Sequence, residues 1–138
     1  MASFVKFENF TEDLANGVHN LGSDTLEIYL SNAAPNVATH EIKADIAEIA
    51  TGSGYTGPQD TTNTLSRTGG ITSILGVDVV ITASGGTIGP FQYVILQNTT
   101  PAGPVDPLIG YWDRGSALTL NDGESFTTDF TTEMFTIT

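Results

Sequence analysis

Residues 90–98 read "PFQYVILQN", and their parity decides the fold. Phe91, Tyr93 and Ile95 fall on one side of an extended chain; Val94 and Leu96 fall on the other. A strand with one wet face alternates apolar and polar residues, whereas a run apolar at both parities belongs at the centre of a sheet that is covered on both sides.

The flanking segments supply its neighbours. "DTLEIYLSN" (24–32) sets Leu26, Ile28 and Leu30 against Glu27 and Tyr29, the pattern of a half-buried strand, and "GVDVVITAS" (76–84) alternates Val77, Val79, Ile81 and Ala83. "TNTLSRTG" (62–69) reads as an edge strand, and "PLIGYWDRG" (107–115) and "SALTL" (116–120) as two further extended runs. Asn121-Asp122-Gly123 is a strong turn signal. Phe126 and Phe130 share a face, but the parity shifts to Phe135 and Ile137, so a turn or bulge belongs near Thr131–Glu133. Thr11 is a candidate cap for a very short helix through "EDLA", ended by Asn16-Gly17. "THEIKADIAEIA" (39–50) fits either a helix, with Ile42, Ile46 and Ile49 on one face, or an irregular extended run. About eight short strands separated by Gly, Pro and Asn turns predict an all-β, antiparallel sandwich of jelly-roll type with at most short helices.

The chain has 138 residues, which fits one domain (11–138) preceded by an apolar arm (1–10) that carries Phe4, Val5, Phe7 and Phe10. A 14.5 kDa globule exposes roughly 6,900 Å² of the roughly 21,000 Å² of its extended chain, so the core is self-sufficient. There is no cysteine, hence no disulfide framework and no thiolate metal site. "MASFVKFENF" lacks the apolar core of a secretory leader, and no run is long enough for a membrane span.

The charge excludes more. Sixteen acids face only Lys6, Lys43, Arg67 and Arg114, for a net charge of −12, with no basic half or tail. Phosphate backbones are bound by clustered Lys and Arg, so nucleic acid is not an expected partner, and the same field opposes docking on an anionic membrane.

Several motifs suggest chemistry. Gly52, Gly54 and Gly57 in "TGSGYTGPQD" (51–60) spell G-x-G-x-x-G. A dinucleotide site needs a helix after that loop to receive the pyrophosphate, and Pro58-Gln59-Asp60 followed by an alternating run supplies none. The glycines read as turn residues, with Tyr55 packed over the loop. Asn121, Asp122 and Glu124 offer oxygens to calcium but lack the spaced acids of an EF-hand, so a hairpin turn is the better reading. His19 and His40 have no zinc-spaced partner, and no G-x-S-x-G nucleophile elbow occurs. No catalytic residue and no cofactor are expected. "LIGYWDRG" admits three readings: a core strand with Trp112 buried, a protein contact through Tyr111, Trp112 and Arg114, or a sugar-stacking site.

Three stretches in order, "ADIAEIATGSGYTG", "GGTIGPFQYVILQNTT" and "DPLIGYWDRGSALTLNDGESFTTDF", resemble small virion structural proteins of tailed bacteriophages, in particular the cement (decoration) proteins that coat the head. The resemblance covers most of the chain from Leu26 onward and departs at Gly57-Pro58, where paired glycines would be expected after "GYT". It implies a jelly-roll-like domain without catalysis, made in the host cytoplasm and carried in many copies on the outer capsid surface. Its expected partners are the major capsid protein and further copies of itself, as dimer or trimer. Phe4, Val5, Phe7, Phe10, Tyr111, Trp112 and Arg114 are the candidate contact residues. The arm either adds a strand to a neighbour's sheet or forms a strand of its own domain. The alternative function is a virion-borne glycan-binding module that uses Tyr93, Tyr111 and Trp112; a small hydrolase is a third.

Overall fold

The computed structural model describes every residue from Met1 to Thr138. In chain order its elements are β1 (Phe4–Lys6), α1 (Asn9–Ala15), β2 (Leu26–Ser31), β3 (Gln59–Asp60), β4 (Thr64–Thr68), β5 (Ile71–Leu75), β6 (Val80–Thr82), β7 (Ile88–Asn98), β8 (Leu108–Leu120), β9 (Ser125–Thr127) and β10 (Phe135–Ile137). β7, which contains the stretch apolar on both faces, is the middle of a five-stranded antiparallel sheet ordered β1-β8-β7-β2-β3. Against one face of it lie a three-stranded sheet, β10-β5-β4, and the ribbon β6-β9. The fold is an all-β antiparallel sandwich.

Through the middle of the large sheet the inner layer follows the even positions; beyond the register shifts it takes odd ones, Phe91 and Ile109. Leu26, Ile28 and Leu30 of β2, Val94 and Leu96 of β7 and Trp112 of β8 meet Ile74, Ile81, Phe130 and Phe135 from the opposing layer. The opposite face is also covered. Tyr29, Ile95, Leu108 and Phe7 form a second, smaller core closed by Ile46 and Val37 from the long connection after β2. Within 39–50 that connection is irregular, with one 3₁₀ turn at Lys43–Asp45 and no α-helix, so the second of the two readings holds. It also explains why β2 is buried on both faces where its alternation predicts one wet face.

The first strand belongs to its own sheet. Phe4 pairs with Trp112, Val5 with Tyr111 and Lys6 with Gly110. Gly110 permits the approach: a Cβ there would sit 2.6 Å from the Val5 carbonyl oxygen and closer still to the Phe4 ring. α1 begins at Asn9, two residues before the expected Thr11 cap; the Thr11 hydroxyl donates instead to the Glu8 carbonyl, and Gly17 at φ +75° follows the end of the helix. The two runs expected after residue 107 are one strand, β8. Between the pairs Tyr93–Asp113 and Phe91–Leu118, Gln92 alone faces four residues, Arg114–Ala117, which bulge out of the ladder. In the 76–84 run Val79, Ile81 and Ala83 are buried as expected, but Val77 lies before the strand and is exposed.

Candidate functional site

Strand parity sorts the residues that the sequence marks. On β8, Tyr111 and Asp113 point to the outer face of the large sheet, opposite Ile95 and Tyr93 of β7. Trp112, between them, points into the main core opposite Val94. Around them the outer face is a partly open patch: Val5 and Asp113 are exposed, and Gln92, Tyr93 and Tyr111 are half-buried. Tyr93 and Tyr111 meet edge to face with ring centroids 6.1 Å apart, and Tyr111 leans on Phe7 at 5.6 Å. Gln92 Nε2 donates to Asp113 Oδ1 at 2.9 Å, and the Gly115 N–H donates to the same oxygen at 2.7 Å. Those two donors hold the Asp113 carboxyl below its usual range. Partial burial, then the neighbouring Asp113 and Tyr93, push the Tyr111 hydroxyl up, so it stays a neutral donor at any physiological pH.

The other candidate contact residues lie elsewhere. Phe7 and Phe10 are buried in the two cores, where α1 and the start of the chain close the sandwich, and they present no surface to a partner. Trp112 is 3% exposed and forms the floor of two grooves beside Met1–Phe4, of about 530 and 240 Å³. Phe4 lines the larger groove and Arg114 the smaller, on the side of the sheet opposite Tyr111. Of the seven candidates, only Val5 and Tyr111 present surface on the outer face; Phe7 lies beneath Tyr111 and is buried. Tyr93, set aside in sequence for the glycan reading, and Gln92 complete the patch. The pairing of Gln92 with Asp113 depends on the bulge at 114–117, which no sequence period signals.

The glycine motif is a turn. Gly52 and Tyr55 exchange backbone hydrogen bonds, Gly54 has φ +102° with its Cα turned against the Thr82 carbonyl, and the loop runs into β3 and not into a helix. Tyr55 is driven into the core, where its hydroxyl accepts the Leu30 N–H at 3.1 Å and donates to Glu48 Oε2 at 2.5 Å. Burial and the adjacent Glu48 carboxylate raise this tyrosine's pKa. Lys43 completes the cluster, 2.9 Å from Glu48 Oε1 and over the Tyr29 ring.

No family model, curated protein or solved structure matches this chain. The site must therefore be read from its own chemistry. No group of three or more His, Asp or Glu side chains is placed to hold a metal ion. In the 121–124 turn, Glu124 accepts the Asn121 N–H at 2.7 Å and Asp122 accepts the Gly85 N–H at 3.0 Å, so both carboxylates serve the loop. His40 Nδ1 accepts the Asn36 N–H at 2.9 Å, and His19 is buried beside Asn98. The patch on the outer face offers apolar aromatic surface rimmed by a fixed amide–carboxylate pair, an arrangement suited to docking.

Proposed function

We propose that this chain is a cement protein of a tailed-bacteriophage head, bound to the outer capsid surface across capsomer junctions. The observation that carries the reading is the likeness of its three ordered stretches to that group. In the fold these stretches are the anchored Tyr55 loop, β7 and the β8–β9 region, together the centre of the sandwich. The jelly-roll wiring is part of the same proposal.

The mechanism is mechanical. Packaged DNA pushes outward on the shell, and a ligand that binds the intact junction better than separated capsomers shifts the balance toward the intact shell by its differential affinity. A standard interface takes about 600–1,000 Å² from each partner. The chain exposes 6643 Å², so one face suffices. The outer face with Val5, Tyr93 and Tyr111 is the contact surface in this reading: tyrosines are over-represented among the residues that dominate binding energy. An acidic exterior is neutral to this task, since the protein meets capsid protein and not DNA.

Imaging of intact particles tests the proposal. Density for the chain at regular positions on the outer head supports it; a chain confined to the tail, or missing from particles, overturns it.

One observation favours a second reading. The Tyr93–Tyr111 pair beside the Gln92–Asp113 hydrogen bond combines an aromatic face with a polar clamp, as sugar sites do. In that reading the chain is a virion-borne glycan-binding module, without Trp112. Binding of the purified protein to a glycan array, lost in Tyr111→Ala, distinguishes the two.

A further inference from the structure

β4 is the longest of the strands that form a sheet edge. It pairs only with β5, and all five of its residues are exposed, whereas the other sheet-edge strands run two or three residues. The two-residue turn Gly69-Gly70 fixes which backbone groups face out. Thr68 and Ile71 flank the turn and form a hydrogen-bonded pair, and pair types alternate along an antiparallel ladder. Thr64, Ser66 and Thr68 therefore turn N–H and C=O toward β5. Leu65 and Arg67 turn theirs outward, and no hydrogen bond from outside the hairpin reaches them.

Charge says what can cover this edge. Between Asp60 and Asp78 there is no acid, and Arg67 is the only charge, in a chain of net −12. Copies of such a chain repel one another unless acid-poor surfaces meet. Of the devices that block self-pairing the edge carries one, the single charge of Arg67; it has no proline and no bulge. Leu65 is 44% exposed on it.

We infer that β4 pairs antiparallel with β4 of a second copy about a two-fold axis at Ser66. That register sets Leu65 opposite Arg67 of the second copy, and Arg67 opposite its Leu65. These are the residues whose backbone groups point outward, so each pair exchanges two N–H···O bonds. Ser66 faces Ser66, and Thr64 faces Thr68, both favourable cross-strand pairs. The apolar stem of Arg67 covers the exposed leucine. The result is one continuous six-stranded sheet, β10-β5-β4-β4-β5-β10. A five-residue edge covers less than a standard interface, so the contact is weak in dilute solution and takes effect where copies are crowded. For that setting, copies arrayed on a shell, the inference rests on the cement reading; the pairing itself does not.

Sedimentation equilibrium of the purified full chain, up to about 1 mM in 0.15 M salt, tests it without any capsid. The weight-average mass is expected to climb from 14.5 kDa toward twice that value. Leu65→Pro deletes an outward N–H while leaving the ladder to β5, and should abolish the climb. Leu65→Glu places a carboxylate opposite each Arg67, and should tighten association by about 2- to 30-fold. Leu65→Arg should weaken it. A mass that stays at 14.5 kDa throughout overturns the inference, as does a dimer unchanged in Leu65→Pro or weakened in Leu65→Glu. None of these outcomes bears on where the protein sits in a particle, which imaging decides separately.

Discussion

Phe4 stacks on Phe135 with ring centroids 4.8 Å apart and planes 11° from parallel. One ring comes from the first strand and the other from the last, so this contact ties the large sheet to the opposing one. Phe4 also meets Trp112 edge to face at 5.3 Å. Phe4→Ala removes both contacts and is expected to destabilise the domain by about 2 kcal/mol or more, read as a lowered denaturant midpoint at unchanged slope. An unchanged midpoint would mean that the start of the chain does not hold the sandwich shut.

Tyr55→Phe keeps the ring and deletes one hydroxyl. The Leu30 N–H and the Glu48 carboxylate both lose a buried partner. The expected cost is about 1–3 kcal/mol, measured by urea unfolding.

Gly54→Ala tests whether the glycine loop is there for geometry. The residue has φ +102°, and a Cβ would fall onto the Thr82 carbonyl. A cost of at least about 2 kcal/mol is expected, read as a lowered midpoint of urea unfolding. Gly52 also has positive φ but opens onto free space, so Gly52→Ala should cost less.

His19 sets a pH dependence. The Asn98 amide donates to Asp24 Oδ2 and lies 2.9 Å from His19 Nδ1, which accepts its other hydrogen; a protonated ring would set donor against donor. Burial lowers the pKa from its ordinary 6.5, opposed in part by Asp24. The unfolded chain therefore takes up a proton first as pH falls, and stability drops from about pH 6.5 down to the lowered folded value. Buried Asp13 and half-buried Glu27 have raised pKa values and act with the opposite sign, gaining stability as pH falls through their folded values. The slope belonging to His19 is isolated by comparing the protein with His19→Gln between pH 7 and 5: the substituted protein should show the shallower fall.

The centre of the sheet is legible in residues 90–98 because both parities are apolar, and the glycine loop is legible as a turn because no helix follows it. Two features are not. Tyr29 sits at a position that alternation assigns to solvent; only the non-local packing of Ile46 and Val37 over it makes it core. Tyr111 and Trp112 are adjacent in sequence and chemically alike, so composition groups them, whereas the two-residue period of β8 sends them to opposite faces. Which face each takes depends on pairing with Val94 and Ile95, a long-range register that no local pattern records.

In the cement reading, the Val5–Tyr93–Tyr111 face yields its own prediction. Tyr111→Ala should leave the fold in place by circular dichroism, and should weaken binding to heads that lack the protein by about 30-fold or more. Trp112→Ala should instead fail mainly through instability, because the indole is core.

The most direct test of the account is the temperature at which DNA-filled heads lacking this chain release their DNA, measured before and after the purified protein is added back. The account predicts that the release temperature rises as the protein binds and that Tyr111→Ala does not restore it. Full binding with no change in release temperature, or no binding to the head at all, would contradict it.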